Sequence, residues 1–307
     1  MELEYSNDKK SQDRIKKLKK LKLTYKLIEL FIFLTAFNFS LAREFDLITI
    51  IVFALVIAGS AAMLEFICNT FVVNNIKETL IHELNPKLFI DCNIYWYNLN
   101  KKNKTLCNYT LCDIATGYLY DGNFDKCEEI IAYLEEQKLD LILQIVILQQ
   151  KMDIYYFKRK YKKALEIKSQ LLTKLDSCNL KIKDQILAEV ETKTALIEEN
   201  KDKLSIILKN LRRSKINLDK VDYLYIKSQF FEEEDNKYQK KLAFEGGDIF
   251  YAREELEDQS ITTKNNIKPK KHKGFKNINI RFFYVTTIIY IFIKYGTFFR
   301  YTFIKFF

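Results

Sequence analysis

One uncharged run constrains this chain more than any other feature. Residues 47–64, LITIIVFALVIAGSAAML, carry no ionisable side chain. As a helix they extend about 27 Å, close to the roughly 30 Å of a bilayer's hydrocarbon core. A soluble helix of that length normally keeps a polar stripe, and this one has none. A shorter run precedes it at 27–42, LIELFIFLTAFNFSLA, with one acid, Glu29, near its end. To span, it must draw in Tyr25 and Phe45 or sit in a locally thinned bilayer. Only a short turn around Arg43 to Asp46 separates the two, so they should lie antiparallel. Ala54, Ala58, Gly59, Ser60, Ala61 and Ala62 would permit close approach in lipid. The expectation is a two-helix transmembrane hairpin over 27–66. It serves better as an anchor than as a pore, because no charged pair is buried in it.

Charge sets the orientation. Of the formal net charge of +10, much sits at the two ends: nine Lys/Arg lie between Lys9 and Lys26, and five between Lys268 and Lys276. The middle is near balance. Basic clusters beside hydrophobic segments suit anionic lipid headgroups, so a basic tail at 1–26 is expected to contact anionic membrane lipid, and no nucleic acid. By the positive-inside rule the N-terminus is cytoplasmic, and two crossings return the chain there. That implies a multi-pass protein of the cell membrane with its main domain in the cytoplasm. No A-x-A-like cleavage site follows the first run, which argues against a signal peptide. The Asn-x-Ser/Thr triplets at Asn38, Asn103 and Asn108 therefore carry no glycosylation meaning.

Seven glycines and two prolines are too few for the turns of an all-β protein. The composition favours long helices joined by short polar turns, so the fold class is all-α. Abundant Lys, Ile, Asn, Phe and Tyr suggest an AT-rich bacterial genome. The six cysteines, Cys68, Cys92, Cys107, Cys112, Cys127 and Cys178, form no C-x-x-C pair and no zinc or disulfide spacing. They read as small, semi-apolar packing residues in a reducing compartment.

From 67 to 258, apolar helical patterns alternate with polar breaks. Residues 85–98 open with Asn-Pro, a reasonable helix start. The stretch 108–140, NYTLCDIATGYLYDGNFDKCEEIIAYLEEQKLD, reads as two helices broken at Asp121-Gly122-Asn123. Leu111, Ile114 and Tyr118, then Phe124, Cys127, Ile131 and Leu134, recur three or four apart, so the facing sides are apolar. Ala115, Tyr118, Gly122-Asn123-Phe124 and Cys127 resemble the signature positions of tetratricopeptide repeats: small residues where helices cross, an aromatic beside them, and a Gly-Asn-aromatic turn. The departures are Leu111 at the position usually held by tryptophan and Cys127 where alanine is usual. A second unit, with Tyr161 and Ala164 matching Phe124 and Cys127 at an offset of 37 residues, follows a helix at 139–157 that supplies Leu148 and Tyr155. Further paired stretches fall at 183–199, 201–211 and 221–232. The segment 242–258, LAFEGGDIFYAREELED, looks like the closing helices of such an array. The resemblance implies a TPR-like α-solenoid of antiparallel helix pairs after the hairpin. The alternative is an irregular helical bundle, since two clear units fall short of the three that stacking usually needs.

By the same resemblance, first helices line a groove that holds a protein or peptide partner. Its candidate positions are Tyr109, Cys112, Thr116, Leu119 and Tyr120 in the first unit, and Gln149, Asp153, Tyr156 and Phe157 in the second. Residues 259–280 read as a basic linker with Pro269. Residues 281–307 form an aromatic, hydrophobic segment whose uncharged core, 282–293, is short for a span, so it is either interfacial or spanning with Lys294 snorkelling.

Nothing in the sequence points to catalysis. His82 lacks the second histidine of a zinc motif, and His272 sits among lysines. No phosphate loop or nucleophile elbow occurs. The expectation is a binding protein rather than an enzyme, with no cofactor or metal. The competing reading is a membrane-centred factor (an immunity or envelope-stress protein, or a membrane-complex subunit) whose spans carry the activity.

Overall fold

Asparagine is the residue that starts helices in this chain. Asn85, Asn103, Asn123 and Asn200, with Asp140, each turn a side-chain oxygen onto the backbone N–H three residues ahead, at 2.8, 3.1, 3.2, 3.1 and 2.9 Å respectively. Each satisfies a donor that the helix cannot. Eleven helices of nine residues or more result among the described residues: α1 (Lys9–Leu41), α2 (Leu47–Ile81), α3 (Pro86–Leu99), α4 (Lys104–Asp121), α5 (Phe124–Glu135), α6 (Leu141–Phe157), α7 (Tyr161–Asp176), α8 (Lys183–Ile197), α9 (Lys201–Arg213), α10 (Asn217–Phe230) and α11 (Lys237–Glu245). The computed structural model describes residues 3, 5–6, 8–41, 47–176, 183–231 and 236–254. The turn at 43–46, Cys178, the linker at 259–280 and the segment at 281–307 lie outside them.

The chain is all-helical throughout the described residues. Two sequence boundaries do not coincide with structural ones. α1 runs without a break from the basic stretch into the apolar run, and α2 continues past residue 66 to Ile81. α1 and α2 run antiparallel. Arg14, early in α1, donates to the Asn75 carbonyl at 2.9 Å and pairs with Glu83 at 3.2 Å, whereas Leu30 and Phe33 share a crevice with Ile57 and Ala61. Each helix therefore has two halves. In the lower halves Ile15, Leu18, Val72 and Ile76 are buried; in the upper halves Phe31 is 70% exposed and Leu55 68%. Among the described residues one helix is long and apolar enough to cross a membrane, Ile51–Ile81, with a mean hydropathy of 2.3 in its most apolar stretch.

The lower halves join the other helices through α3. Asp91 accepts from the Ser6 N–H at 2.8 Å, the Ser6 hydroxyl at 2.6 Å and the Ser11 hydroxyl at 2.5 Å. Lys22 lies over the ring of Trp96, 5.1 Å from its centroid. From α3 onward consecutive helices pair, and alternate helices α4, α6 and α8 pack side by side. Pairing is antiparallel: Gln144 and Tyr155 of α6 meet Lys174 and Lys163 of α7, respectively. α6 holds the arrangement together, with side chains in three apolar clusters. Ile147 and Ile154 face α3–α5, Ile145 and Met152 face α7–α8, and Tyr156 faces α8–α10. That position explains why the apolar side chains of its sequence, LILQIVILQQKMDIYYF, fall on several faces of the helix instead of one stripe.

The row then returns to its start. Asn217, opening α10, donates to the His82 carbonyl at 2.8 Å, and the Asp248 N–H donates to the Leu84 carbonyl at 2.9 Å. The expected closing segment is thus divided: α11 ends at Glu245, Gly246 and Gly247 turn the chain, and helix resumes at Phe250. Gly122 ends α4 with φ at 79°, and a Cβ there would lie 2.9 Å from the Cβ of Phe250. Gly122→Ala should therefore destabilise by about 2 kcal/mol, from left-handed backbone strain plus this contact, which no side-chain rotation can relieve. Thermal unfolding of the purified variant checks it; an unchanged midpoint would contradict the packing of Phe250 at this turn.

Candidate functional site

Four of the alternate helices, α4, α6, α8 and α10, turn polar and aromatic side chains toward one another. On α6, Asp153 lies 3.2 Å from Lys193 of α8, and about a quarter of each side chain is exposed. One turn earlier, Gln149 donates to Glu189 at 2.8 Å. The repeat of the i, i+4 spacing on both helices makes these two rungs of one ladder. Lys193 also sits over Phe157, at 4.7 Å, and Tyr156, at 5.2 Å. α10 adds Asp222 and Tyr225. The Tyr225 hydroxyl lies 3.4 Å from that of Tyr156, and Asp222 accepts from the Tyr251 hydroxyl at 2.5 Å. Tyr120 of α4 feels the charges of Asp222, Asp153 and Glu189.

Crowding shapes the electrostatics of this cluster. Burial pushes the carboxyl of Asp222 up to about 6; the Tyr251 hydrogen bond and Lys193 restrain the rise, and Asp219 and Asp153 add to it. Burial alone would lower Lys193, but Asp153 and Asp222 outweigh it and hold its ammonium above the ordinary lysine value. The tyrosines respond in one direction: burial and nearby carboxylates raise Tyr120 and Tyr251 well above the usual phenol value, and burial raises Tyr156 to about 12. These phenols stay protonated at neutral pH, and Tyr251 uses its hydroxyl to donate to Asp222. One lysine among four carboxylates leaves the cluster acidic.

The sequence candidates fall into two groups. Tyr120, Gln149, Asp153, Tyr156 and Phe157 meet in this cluster. Tyr109, Cys112, Thr116 and Leu119 do not. Cys112 and Leu119 are each 3% exposed and belong to the apolar core, so they line no open surface. Thr116 is tied inward: its hydroxyl donates to the Cys112 carbonyl at 3.1 Å and accepts from Gln150 at 2.8 Å. Tyr109 donates to Asp140, the residue that caps α6, at 3.0 Å. Tyr156, though within the cluster, is itself buried. Sequence reading missed Glu189, Lys193, Asp222 and Tyr225. The signal that could have found the last two is a repeated Asp-x-x-Tyr, at Asp153–Tyr156 and again at Asp222–Tyr225.

The five described cysteines are free and buried. Burial pushes the thiols of Cys92, Cys112 and Cys127 up to about 12, far from reactive thiolates. Among the described residues no group of three or more His, Cys, Asp or Glu side chains is placed to hold a metal ion. Comparison with protein-family models, with curated proteins and with solved structures finds no match.

Proposed function

We propose that the chain is a membrane-anchored helical-repeat scaffold that presents a protein- or peptide-binding surface on the cytoplasmic side. The observation that carries this reading is the continuity of α2, whose apolar, exposed half passes without a break into a half buried against α1 and α3. Exposed Phe and Leu along both helices match a lipid environment better than water, and α1 supplies a second crossing beside the first. The basic residues nearest the apolar run, Lys22 and Lys26, then lie towards the cytoplasmic headgroups, where anionic lipid favours them. TPR-like stacking is supported by the small residues Ala115, Cys127 and Ala164, all 0% exposed at helix contacts. The acidic, aromatic cluster of α4, α6, α8 and α10 is the recognition surface, and no catalytic step or cofactor is needed for it.

Topology reporters fused after residues 44, 75 and 275 test the arrangement. External signal at 44 with cytoplasmic signal at 75 and 275 is the expected result; cytoplasmic signal at all three sites would sink the anchor. Affinity capture with the full chain in detergent tests binding.

A crevice of about 410 Å³ between α1 and α2, lined by Lys26, Glu29, Phe33 and Ile57, favours a second reading in which the membrane helices carry the activity. Exchanging the upper halves for an unrelated hairpin separates the two: retained activity supports the scaffold, and lost activity supports the membrane-centred factor.

A further inference from the structure

The chain's own segment at 249–253, Ile-Phe-Tyr-Ala-Arg, lies across the recognition surface. Phe250 packs edge-on against Phe124 and Phe157, with centroids 5.3 and 4.8 Å away. Tyr251 stacks on Phe157 at 6.0 Å, meets Tyr225 at 4.7 Å and donates its hydroxyl to Asp222. Arg253 forks onto Asp121, with Nη1 3.1 Å from the carboxylate and Nη2 2.5 Å from the backbone carbonyl. Asp121 is the last residue of α4, so the guanidinium meets the negative end of that helix. Each of these contacts has the form of peptide recognition: aromatic anchors in pockets, one hydroxyl on a carboxylate, one bidentate arginine.

The segment is also attached as a ligand would be. It hangs from Gly246 and Gly247, the latter at φ 62°, and is nearly a hundred residues away in sequence from Phe157. Four of its five residues, Ile249, Phe250, Tyr251 and Ala252, are buried, so its release would uncover apolar surface that a bound peptide would cover again. Beyond its edge, Asp153 and Lys193 stay partly exposed, so the surface is larger than its occupant.

We propose that residues 249–253 are an exchangeable occupant in cis, and that the surface takes in trans a peptide carrying an aromatic–tyrosine–x–arginine pattern. This rests on the scaffold reading and adds the partner's chemistry and its control. A tethered segment competes at a high effective concentration, on the order of millimolar, so a free peptide binds weakly until the tether lets go.

The test uses the full chain in detergent and a fluorescein-labelled heptapeptide, Asp-Ile-Phe-Tyr-Ala-Arg-Glu. Tyr251→Phe with Arg253→Gln removes both polar anchors without opening a hole. The double variant should bind the peptide at least tenfold more tightly than the wild-type chain. Adding Asp121→Asn and Asp222→Asn should return binding to the wild-type level. Hydrogen exchange on the wild-type chain provides a measurement independent of any variant: amides 249–253 should exchange faster than those of α4 and α6. Absence of peptide binding by a folded double variant overturns the proposal, as does exchange of 249–253 only on global unfolding. Self-association of the variant in place of peptide binding overturns it in favour of a second copy as occupant. A partner captured through another face, with this surface silent, sinks the inference and leaves the scaffold intact.

Discussion

Lys193→Met is expected to lower the unfolding free energy by about 2–3 kcal/mol at pH 7.5 and by clearly less at pH 5. Removing one member of a fully buried ion pair typically costs more; the quarter exposure of Asp153 and Lys193 moderates it through solvent screening. The pH dependence follows from Asp222. Its carboxyl is raised to about 6 in the folded chain from an unfolded value near 4. Between those values the folded state binds a proton that the unfolded state has released, so this group's contribution falls as pH rises through the window and stays low above it. Lys193 is one of the groups holding that carboxyl down. Without it the window extends upward, so the deficit of the variant widens from pH 5 to pH 7.5. Asp222→Asn in the same chain should recover part of the loss, giving a double variant less destabilised than the sum of the two. Thermal unfolding in detergent at both pH values measures this. A deficit identical at pH 5 and pH 7.5 would mean that Lys193 and Asp222 are not coupled.

The parts of this structure that could be read from sequence are those set by neighbours in the chain. Asn85 before a proline, Asn123 after a glycine and Asp140 before an apolar run each announce a helix start, because a cap acts over three residues. The face of α5 was legible in the same way: Cys127, Ile131 and Leu134 lie on one side by helical period, and all are nearly fully buried. What escaped was decided across long gaps. Lys193 belongs to the site through Asp153, forty residues earlier, and no local pattern distinguishes it from the many other lysines. The helical character of the closing segment is legible, whereas its packing depends on Gly122 and Phe157, which lie on elements that its own sequence does not reveal. Cys112 and Leu119 failed as surface candidates for a related reason. Repeat position places a residue on a face, but here α3 and α6 cover that face.

Insertion of a single alanine into α2 between Ile67 and Cys68 should be more damaging than any point substitution. One added residue turns everything on one side of it by about 100° and shifts it by 1.5 Å. Cys68, Val72, Ile76 and Leu80 form one buried stripe below that point, and the exposed apolar half lies above it. α1 is equally continuous and packs on α2 along both halves. After the insertion α1 can match one half or the other, not both. If the lower stripe is lost, Val72, Ile76 and Leu80, worth about 1.5–3 kcal/mol each, are uncovered together with Cys68, a sum comparable to the whole stability of a domain. Limited proteolysis should then cut within the basic half of α1, where the wild-type chain resists. Seven residues inserted into each of α1 and α2 make the informative control. Two turns of helix restore the facing sides to within about 20°, so pairing survives while the array moves roughly 10 Å from the bilayer. The single insertion should fail and the paired heptads should fold. Equal resistance in both would show that the helices act as a slack tether, and the rigid hold of the array against the membrane would have to be given up.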